Sequence, residues 1–245
     1  MGYTVILPTL NEKGHILELI NEIQSTFSSS NKEFEIIVVD DQSEDGTIDL
    51  IKKIESEHNN LKLLVRKNLE RNLAKSINLG IENSKYENII WMDADFQHPP
   101  DHINLFYKYQ DKYDVVIFSR FLKDSVRYFD KDSSKKEVNE NQSIFFNKLC
   151  KIFLYKDITD YTSGYICLKK KVLKNYMLKG YYGDYFISLI THFKKNNYSV
   201  IEIPFKEGVR YSGHSKTIMN YSLKYVVICS FYFLSLVKNY FKKFF

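Results

Sequence analysis

Two aspartates one residue apart, Asp93 and Asp95, close the apolar run Asn88–Met92 and are followed by Gln97, His98, Pro99 and Pro100. In an extended backbone, residues i and i+2 point to the same side, so this spacing predicts two carboxylates facing one way at a strand end. Such a pair repels itself unless a cation lies between the two groups. Hard oxygen donors suit Mg²⁺ or Mn²⁺, completed by substrate phosphates. The chemistry implied is a metal-diphosphate clamp. Gln97 is a further candidate for the metal shell or for a sugar hydroxyl, and His98 reads as part of the turn. The paired prolines fix the exit of the chain and restrict the residue before them, which predicts one shape for the acidic turn. A lone D-x-D arises by chance about once in a chain of this length, so the pair needs corroboration from its surroundings.

A second acidic pair, Asp40 and Asp41, ends the run FEIIVVD and opens QSEDGT. Carboxylates only accept hydrogen bonds at neutral pH, so these two suit the N–H groups of a base or the hydroxyls of a ribose. The reading turns both toward a pocket, while Asp45 to Thr47 supply turn and helix-cap chemistry. A third loop, LPTLNE, follows the first apolar run. No G-x-G-x-x-G follows that run and no G-x-x-x-x-G-K-[ST] occurs, which argues against a dinucleotide site and a P-loop.

Strands must carry these loops. The β-branched runs YTVILP, FEIIVVD, LKLLV, NIIWMD and DVVIFS alternate with helical patterns over the first 120 residues, the signature of βαβ units around a mostly parallel sheet. Ile16, Leu19, Ile20, Ile23 and Phe27 share one helical face, as do Ile48, Ile51 and Ile54. In open α/β sheets, ligands bind beyond the carboxyl ends of the strands, which is where the three polar loops fall. From Arg120 to Glu140 the pattern dissolves into mixed charge and reads as a long loop, either solvated or binding an acceptor. Periodicity returns over Ile144–Leu154, followed by DYTSGYICL, a helix near Asp184–Lys195, the strand SVIEIPF and the polar RYSGHSK.

The last segment, from Ile218, is an apolar and aromatic helix pattern whose uncharged stretch between Lys224 and Lys238 is 13 residues long. That is short of the roughly 20 needed to span a bilayer. Tyr and Phe beside Lys238, Lys242 and Lys243 suit a water-lipid boundary, and core packing is the alternative. The 245 residues, 44% hydrophobic, suffice for one sizeable α/β domain, and a net charge of +5 argues against wholesale nucleic-acid binding. Three dispersed cysteines suggest neither zinc nor a disulfide framework and fit a reducing, cytoplasmic setting. The start MGYTVILP lacks an export signal, and Ile6 stands where a myristoylation signal wants Ser or Thr.

Taken in order, LPTLNE, VVDDQSEDGT, MDADFQHPP, DYTSGY and EIPFKEGVRYSGHSK resemble family 2 glycosyltransferases of GT-A fold, most closely the dolichol-phosphate mannose synthase branch. The resemblance covers about the first 217 residues. It implies a Rossmann-like, mostly parallel sheet flanked by helices over 1–217, while the segment 218–245 is read from its own composition as an amphipathic, membrane-interfacial helix. It further implies inverting transfer of a sugar from a nucleotide-sugar, GDP-mannose in the closest branch, to a polyprenyl or dolichyl phosphate, by a peripherally membrane-associated cytoplasmic enzyme using Mg²⁺ or Mn²⁺. Carried over, Pro8, Thr9, Asn11, Glu12, Asp40 and Asp41 would bind the nucleoside, and Asp93, Asp95 and Gln97 the metal and diphosphate. Arg120 would handle phosphate, and Arg210, Ser215 and Lys216 would close on the diphosphate or acceptor. Asp160, Ser163 and Gly164 match the acceptor-side turn, with Ser143 and Asn147 retained nearby.

The chain departs from the pattern in reading Asn139 and Glu140 where an arginine is usual, a role open to Arg127, Lys131, Lys135 or Lys136, and Ile166 where arginine is common after SGY. A phosphate monoester is already anionic at neutral pH, so no obligatory base is expected. Asp184 is the candidate base if the acceptor is a hydroxyl. Alternatives are another nucleotide-sugar such as UDP-glucose or UDP-GlcNAc, a glycan hydroxyl acceptor, a nucleotidyltransferase, or a degenerate nucleotide-sugar or membrane-binding module.

Overall fold

The computed structural model describes residues 2–67, 70–126, 134–180 and 183–208, the side chains of 134–142 and 146 excepted. Its strands are β1 (Gly2–Thr9), β2 (Glu33–Asp40), β3 (Leu61–Val65), β4 (Asn88–Trp91), β5 (Val115–Ser119), β6 (Ile166–Lys169) and β7 (Val200–Pro204). They form one sheet in the order β3-β2-β1-β4-β6-β5-β7. All neighbouring pairs run parallel except those of β6, which is antiparallel to both β4 and β5.

Strand residues alternate between two cores. Val5, Leu7, Ile36, Val38 and Ile90 face a cluster built with α1 (Ile16–Ser30), α2 (Thr47–Glu55) and α4 (Ile103–Tyr109). Ile6, Ile37, Val39, Ile89 and Trp91 face the other cluster, built with α3 (Leu73–Glu82), α5 (Ser134–Phe153) and α6 (Asp184–Lys195). The expected face of α1 is buried in full, each such side chain contributing about 1.5–3 kcal/mol as an upper estimate. On α2 only Ile51 of the expected three is buried, and Ile48 and Ile54 are half-covered.

Two sequence expectations change. The stretch read as a loop to Glu140 already becomes α5 at Ser134, because mixed charge on a partly exposed helix hides its period. The segment ICLK, quoted only as the tail of a motif, is the strand β6. Four residues, bounded by a turn and a 3-10 turn, carry too little alternation to be seen. Among the described residues no helix is long and apolar enough to cross a membrane. The segment 218–245, expected to be a helix, lies outside the described residues.

Candidate active site

The order places β1 beside both β2 and β4: β2 and β3 extend from one side of it, and the chain crosses to the other for β4. The crevice of such a sheet opens where the order reverses, beyond the carboxyl ends of β1 and β4. LPTLNE and DADFQHPP leave the sheet there. Among the described residues, three of the six non-glycine residues with left-handed backbones, Asn11 (φ 58°), Gln42 (φ 68°) and Phe96 (φ 67°), sit in the three strand-end loops. Such backbones cost about 1–3 kcal/mol each and gather where a site over-determines them.

β4 stops at Trp91, so Asp93 and Asp95 lie beyond the sheet and strand alternation is not what orients them. The turn does so instead. The backbone N–H of Asp93 donates to Nδ1 of His98 at 2.8 Å, and the N–H of Gln97 donates to Oδ1 of Asp95 at 3.1 Å. His98 is buried and stacked on Tyr165 with centroids 4.8 Å apart, and Tyr165 donates its hydroxyl hydrogen to the Pro99 carbonyl at 2.9 Å. Burial, only partly opposed by Asp95, pulls the His98 pKa down to about 4, so the ring is neutral and serves as the acceptor that holds the turn. Asp95 is buried and Asp93 half-buried. Among the described residues no group of three or more His, Cys, Asp or Glu gathers around a cation position. Two carboxylates on one turn, Asp95 buried and Asp93 half-buried, fit a metal of the kind held by one or two carboxylates and completed by substrate phosphates.

The loops after β1 and β2 are sewn together. The N–H of Asn11 donates to Ser43 Oγ at 2.7 Å and its side-chain oxygen accepts from Glu44 N–H at 2.8 Å. The N–H groups of Glu12 and Lys13 donate to Thr47 Oγ1 and Asp45 Oδ2. The Glu12 carboxylate lies 2.9 Å from His15 Nε2. Pro8 is half-buried, and the buried Thr9 donates its hydroxyl hydrogen to Asp40 at 3.1 Å.

Asp40 and Asp41, expected to face the pocket, are both buried and engaged inside the protein. Asp40 accepts from the Ser43 N–H and hydroxyl, closing the turn. Asp41 accepts from Arg66 Nη1 at 2.7 Å and from the Asn72 N–H at 2.6 Å. Burial pushes its carboxyl up, against the pull of Asn72 and Arg66. Arg66 and Asn72 were not legible as site residues, although an arginine directly after an apolar strand was the available signal.

The third wall is the turn 159–164. Asp160, fully buried, accepts from Nε and Nη2 of Arg120, each at 2.8 Å, and from the N–H of Thr162 at 3.0 Å. Arg120 also donates to Thr162 Oγ1 at 2.8 Å. Burial works against both charges; the pairing prevails, holding the Asp160 carboxyl low and the Arg120 guanidinium firmly charged. Ser163 donates its hydroxyl hydrogen to the Phe118 carbonyl. Gly164 has φ +72°, which favours glycine, and a Cβ there would lie 3.7 Å from His98 and 3.9 Å from the Tyr185 hydroxyl. The Asn147 amide accepts from the Tyr161 N–H at 2.6 Å and donates to the Ser143 carbonyl at 2.8 Å. His98 of the acidic turn stacks on Tyr165 and lies beside Gly164, so the acidic turn and this wall are neighbours, and Arg120 feels the charges of Glu207 and Asp93 besides that of Asp160. Asp184 is buried in the first turn of α6, with Gly180 beside its carboxylate.

Beyond β7 the chain clasps the acidic turn. The Gly208 N–H donates to the Gln97 carbonyl at 3.0 Å, and a Cβ on Gly208 would meet the Phe96 carbonyl oxygen at 2.0 Å. Arg127, Lys131, Arg210, Ser215 and Lys216 lie outside the described residues, as do the side chains of Lys135, Lys136, Asn139 and Glu140.

The family model for glycosyl transferase family 2 matches residues 4–177. The chain is 30% identical over 222 residues to the dolichol-phosphate mannosyltransferase of Pyrococcus furiosus, covering 88% of this chain and 59% of that protein. It is 26% identical over 214 residues to the undecaprenyl-phosphate 4-deoxy-4-formamido-L-arabinose transferase of Shewanella sediminis, covering 87% and 61%. The chain thus spans about three-fifths of the length of each relative. Among solved structures, glucosyl-3-phosphoglycerate synthase from Mycobacterium tuberculosis, crystallised with Mn²⁺, UDP and phosphoglyceric acid, superposes with a TM-score of 0.68 at 15% identity over 95% of this chain and 78% of that one. At that identity the likeness speaks for the fold.

Proposed function

The chain belongs to glycosyl transferase family 2, and from that membership we propose that it moves a sugar from a nucleotide-sugar, GDP-mannose first among the candidates, to a polyprenyl phosphate with inversion. One observation carries this reading: at the crevice beside β1 the turn of Asp93 and Asp95 meets the wall that Arg120 and Asp160 hold, through His98 stacked on Tyr165 and lying beside Gly164. A diphosphate held by the first lies next to the place where an acceptor phosphate would approach the second. The two relatives are named for a polyprenol phosphate in common and for different sugars, which favours the acceptor class more strongly than the mannose.

In this reading Pro8, Thr9, Asn11 and Glu12 hold the nucleoside above the sewn loops, with Asp40 and Asp41 fixing those loops from beneath. Asp93, Asp95 and Gln97 hold a divalent cation and the donor diphosphate. When bound, that cation supplies neutralisation of the negative charge developing on the leaving diphosphate. The protein's own part is to orient the donor, to set the acceptor in line with it, and to place the Arg120 charge beside Asp93. The acceptor phosphate is anionic at neutral pH, so the wall needs to position it rather than remove a proton. Asp184, buried in the first turn of α6, places its acid at the positive end of the helix dipole and is not used as a base in this scheme. Ser143, Ser163 and Gly164 shape the acceptor side, with Arg127, Arg210 and Lys216 as the further cations. The segment 218–245 would bring the enzyme to the membrane surface on its cytoplasmic side.

The test is a radiolabelled transfer assay with a short polyprenyl phosphate, Mg²⁺ or Mn²⁺, and GDP-mannose, UDP-glucose and UDP-GlcNAc in parallel. Label entering the organic phase with GDP-mannose is the expected result. Label from another donor would correct the sugar. Failure of every donor to give lipid-linked product, alongside metal-dependent nucleotide binding, would overturn the lipid acceptor.

A further inference from the structure

We infer that Glu202 of β7 is a positioning residue for the acceptor side, setting the direction of Arg120 through Asp160; the inference rests on the acceptor wall proposed above. Glu202 pairs laterally with Ile117 of β5, three residues before Arg120, so its side chain reaches the turn that Arg120 grips. Its Oε2 accepts from the N–H of Thr159 at 2.7 Å and from the Thr159 hydroxyl at 2.9 Å. Its Oε1 accepts from the N–H of Asp160 at 2.8 Å. One carboxylate thereby fixes two consecutive backbone N–H groups from a strand on the far side of β5. The next atoms along the chain are those of the Asp160 carboxylate, which takes Nε and Nη2 of Arg120. Thr159 is tied in turn to Ser119, the last residue of β5, by a 2.6 Å hydroxyl contact.

The choice of an acid here is costly. Burial pushes the Glu202 carboxyl up, and the nearby Asp160 charge pushes it the same way. Buried charge is a poor means of adding stability but an effective means of fixing one arrangement among several. Only a carboxylate meets all three donors. The glutamine amide presents an N–H₂ face to one of the two backbone N–H groups, so the turn must rotate to relieve the clash of donors. Rotation carries the Asp160 carboxylate with it, and Arg120 follows. The arginine is gripped by Asp160 and also feels the charges of Glu207 and Asp93, so a small movement of its anchor changes where its charge lies relative to the clamp.

The experiment compares Glu202→Gln and Thr159→Ala with wild type in the full chain, measuring transfer to polyprenyl phosphate and, separately, affinity for a nucleoside diphosphate with Mg²⁺. Glu202→Gln is expected to lower kcat/KM for the acceptor by about 100-fold, the scale of a 1 Å misplacement, with nucleotide affinity within about twofold of wild type. Thr159→Ala removes one donor and keeps both backbone N–H groups, so it shifts the acceptor term the same way but less, and it carries the test if Glu202→Gln does not fold. Equal losses in acceptor and nucleotide terms, or no loss in either variant, overturn the inference. A second readout is independent of any acceptor: the Arg120 Nε–H, bonded to Asp160, is expected to exchange slowly by NMR in wild type and faster in both variants. If wild type makes no lipid-linked product, the proposed reaction fails on its own. Glu202 is then judged by that proton, and its continued protection in both variants overturns the role.

Discussion

At the scale of single residues, the carboxylates near the crevice divide into those proposed to hold ligands and those that hold the protein. Asp95 sits in a turn rather than in a strand, and its hydrogen bond from the Gln97 N–H is worth about 1 kcal/mol. Asp95→Ala should therefore abolish metal-dependent donor turnover while shifting the urea midpoint little. An active, metal-dependent variant would refute the clamp. Chelation with EDTA should likewise stop turnover, and added Mg²⁺ or Mn²⁺ should restore it. Asp41 is of the other kind. Its ion pair with Arg66 is buried on both sides, with side-chain exposures of 3% and 9%. Arg66→Ala strands a buried carboxylate and should cost about 3–5 kcal/mol. Arg71→Ala, breaking a pair whose partner Glu44 is 81% exposed, should stay within about 1 kcal/mol, and urea titrations of both variants check the contrast. Asp93 and Asp95 were legible because close spacing and flanking prolines mark them within a few residues. Arg66 and Glu202 were not, because their meaning resides in partners 25 and more than 40 residues away.

At the scale of elements, period decides what can be read. α1 and the inner strands declare themselves through buried positions at regular intervals, and the structure keeps those positions. α3 is harder to find: its buried set includes Ser76, Asn78 and Gly80, so its inner face is not apolar. Tertiary fit explains that composition. Asn72 caps the helix by accepting from the Lys75 N–H at 2.9 Å, and Asn78 spans to Leu178, accepting from its N–H and donating to its carbonyl. Gly80 lets the helix lie on β1, since a Cβ there would meet Ile6 Cγ2 at 2.6 Å. Gly80→Ala gains helix propensity of about 1 kcal/mol and meets an overpacking cost of about 1–3 kcal/mol, so a net loss is expected by chemical denaturation. A net gain would mean that Ile6 yields without strain.

At the scale of the whole molecule, the half of the sheet beyond β4 is bound together at its far end by Asp114. Its carboxylate receives Lys171 Nζ at 2.9 Å and the N–H and hydroxyl of Ser199, while its backbone carbonyl accepts from the Lys169 N–H, so β5, β6 and β7 share one anchor. Burial opposes the ionised form, but Lys171 and Ser199 outweigh it and hold this carboxyl well below the usual carboxylate range. A folded pKa below the unfolded value of about 3.9 gives stability that is fully present above that pH and is lost as pH falls toward the folded value. The stability gap between wild type and Asp114→Asn should therefore be constant from pH 7 to about 5 and narrow below about 4, measured by thermal unfolding. The antiparallel wedge of β6 has a further consequence, for synthesis. β3, β2, β1 and β4 can assemble from the first 91 residues, yet β5 has no neighbour in that half until β6 arrives. At ~5–20 residues per second, β5 leaves the ribosome a few seconds before the strand that admits it, and β4 waits through that interval with an open edge. The nascent chain thus has a defined window in which a chaperone, or a second nascent chain, can reach β4 before its own β6 does.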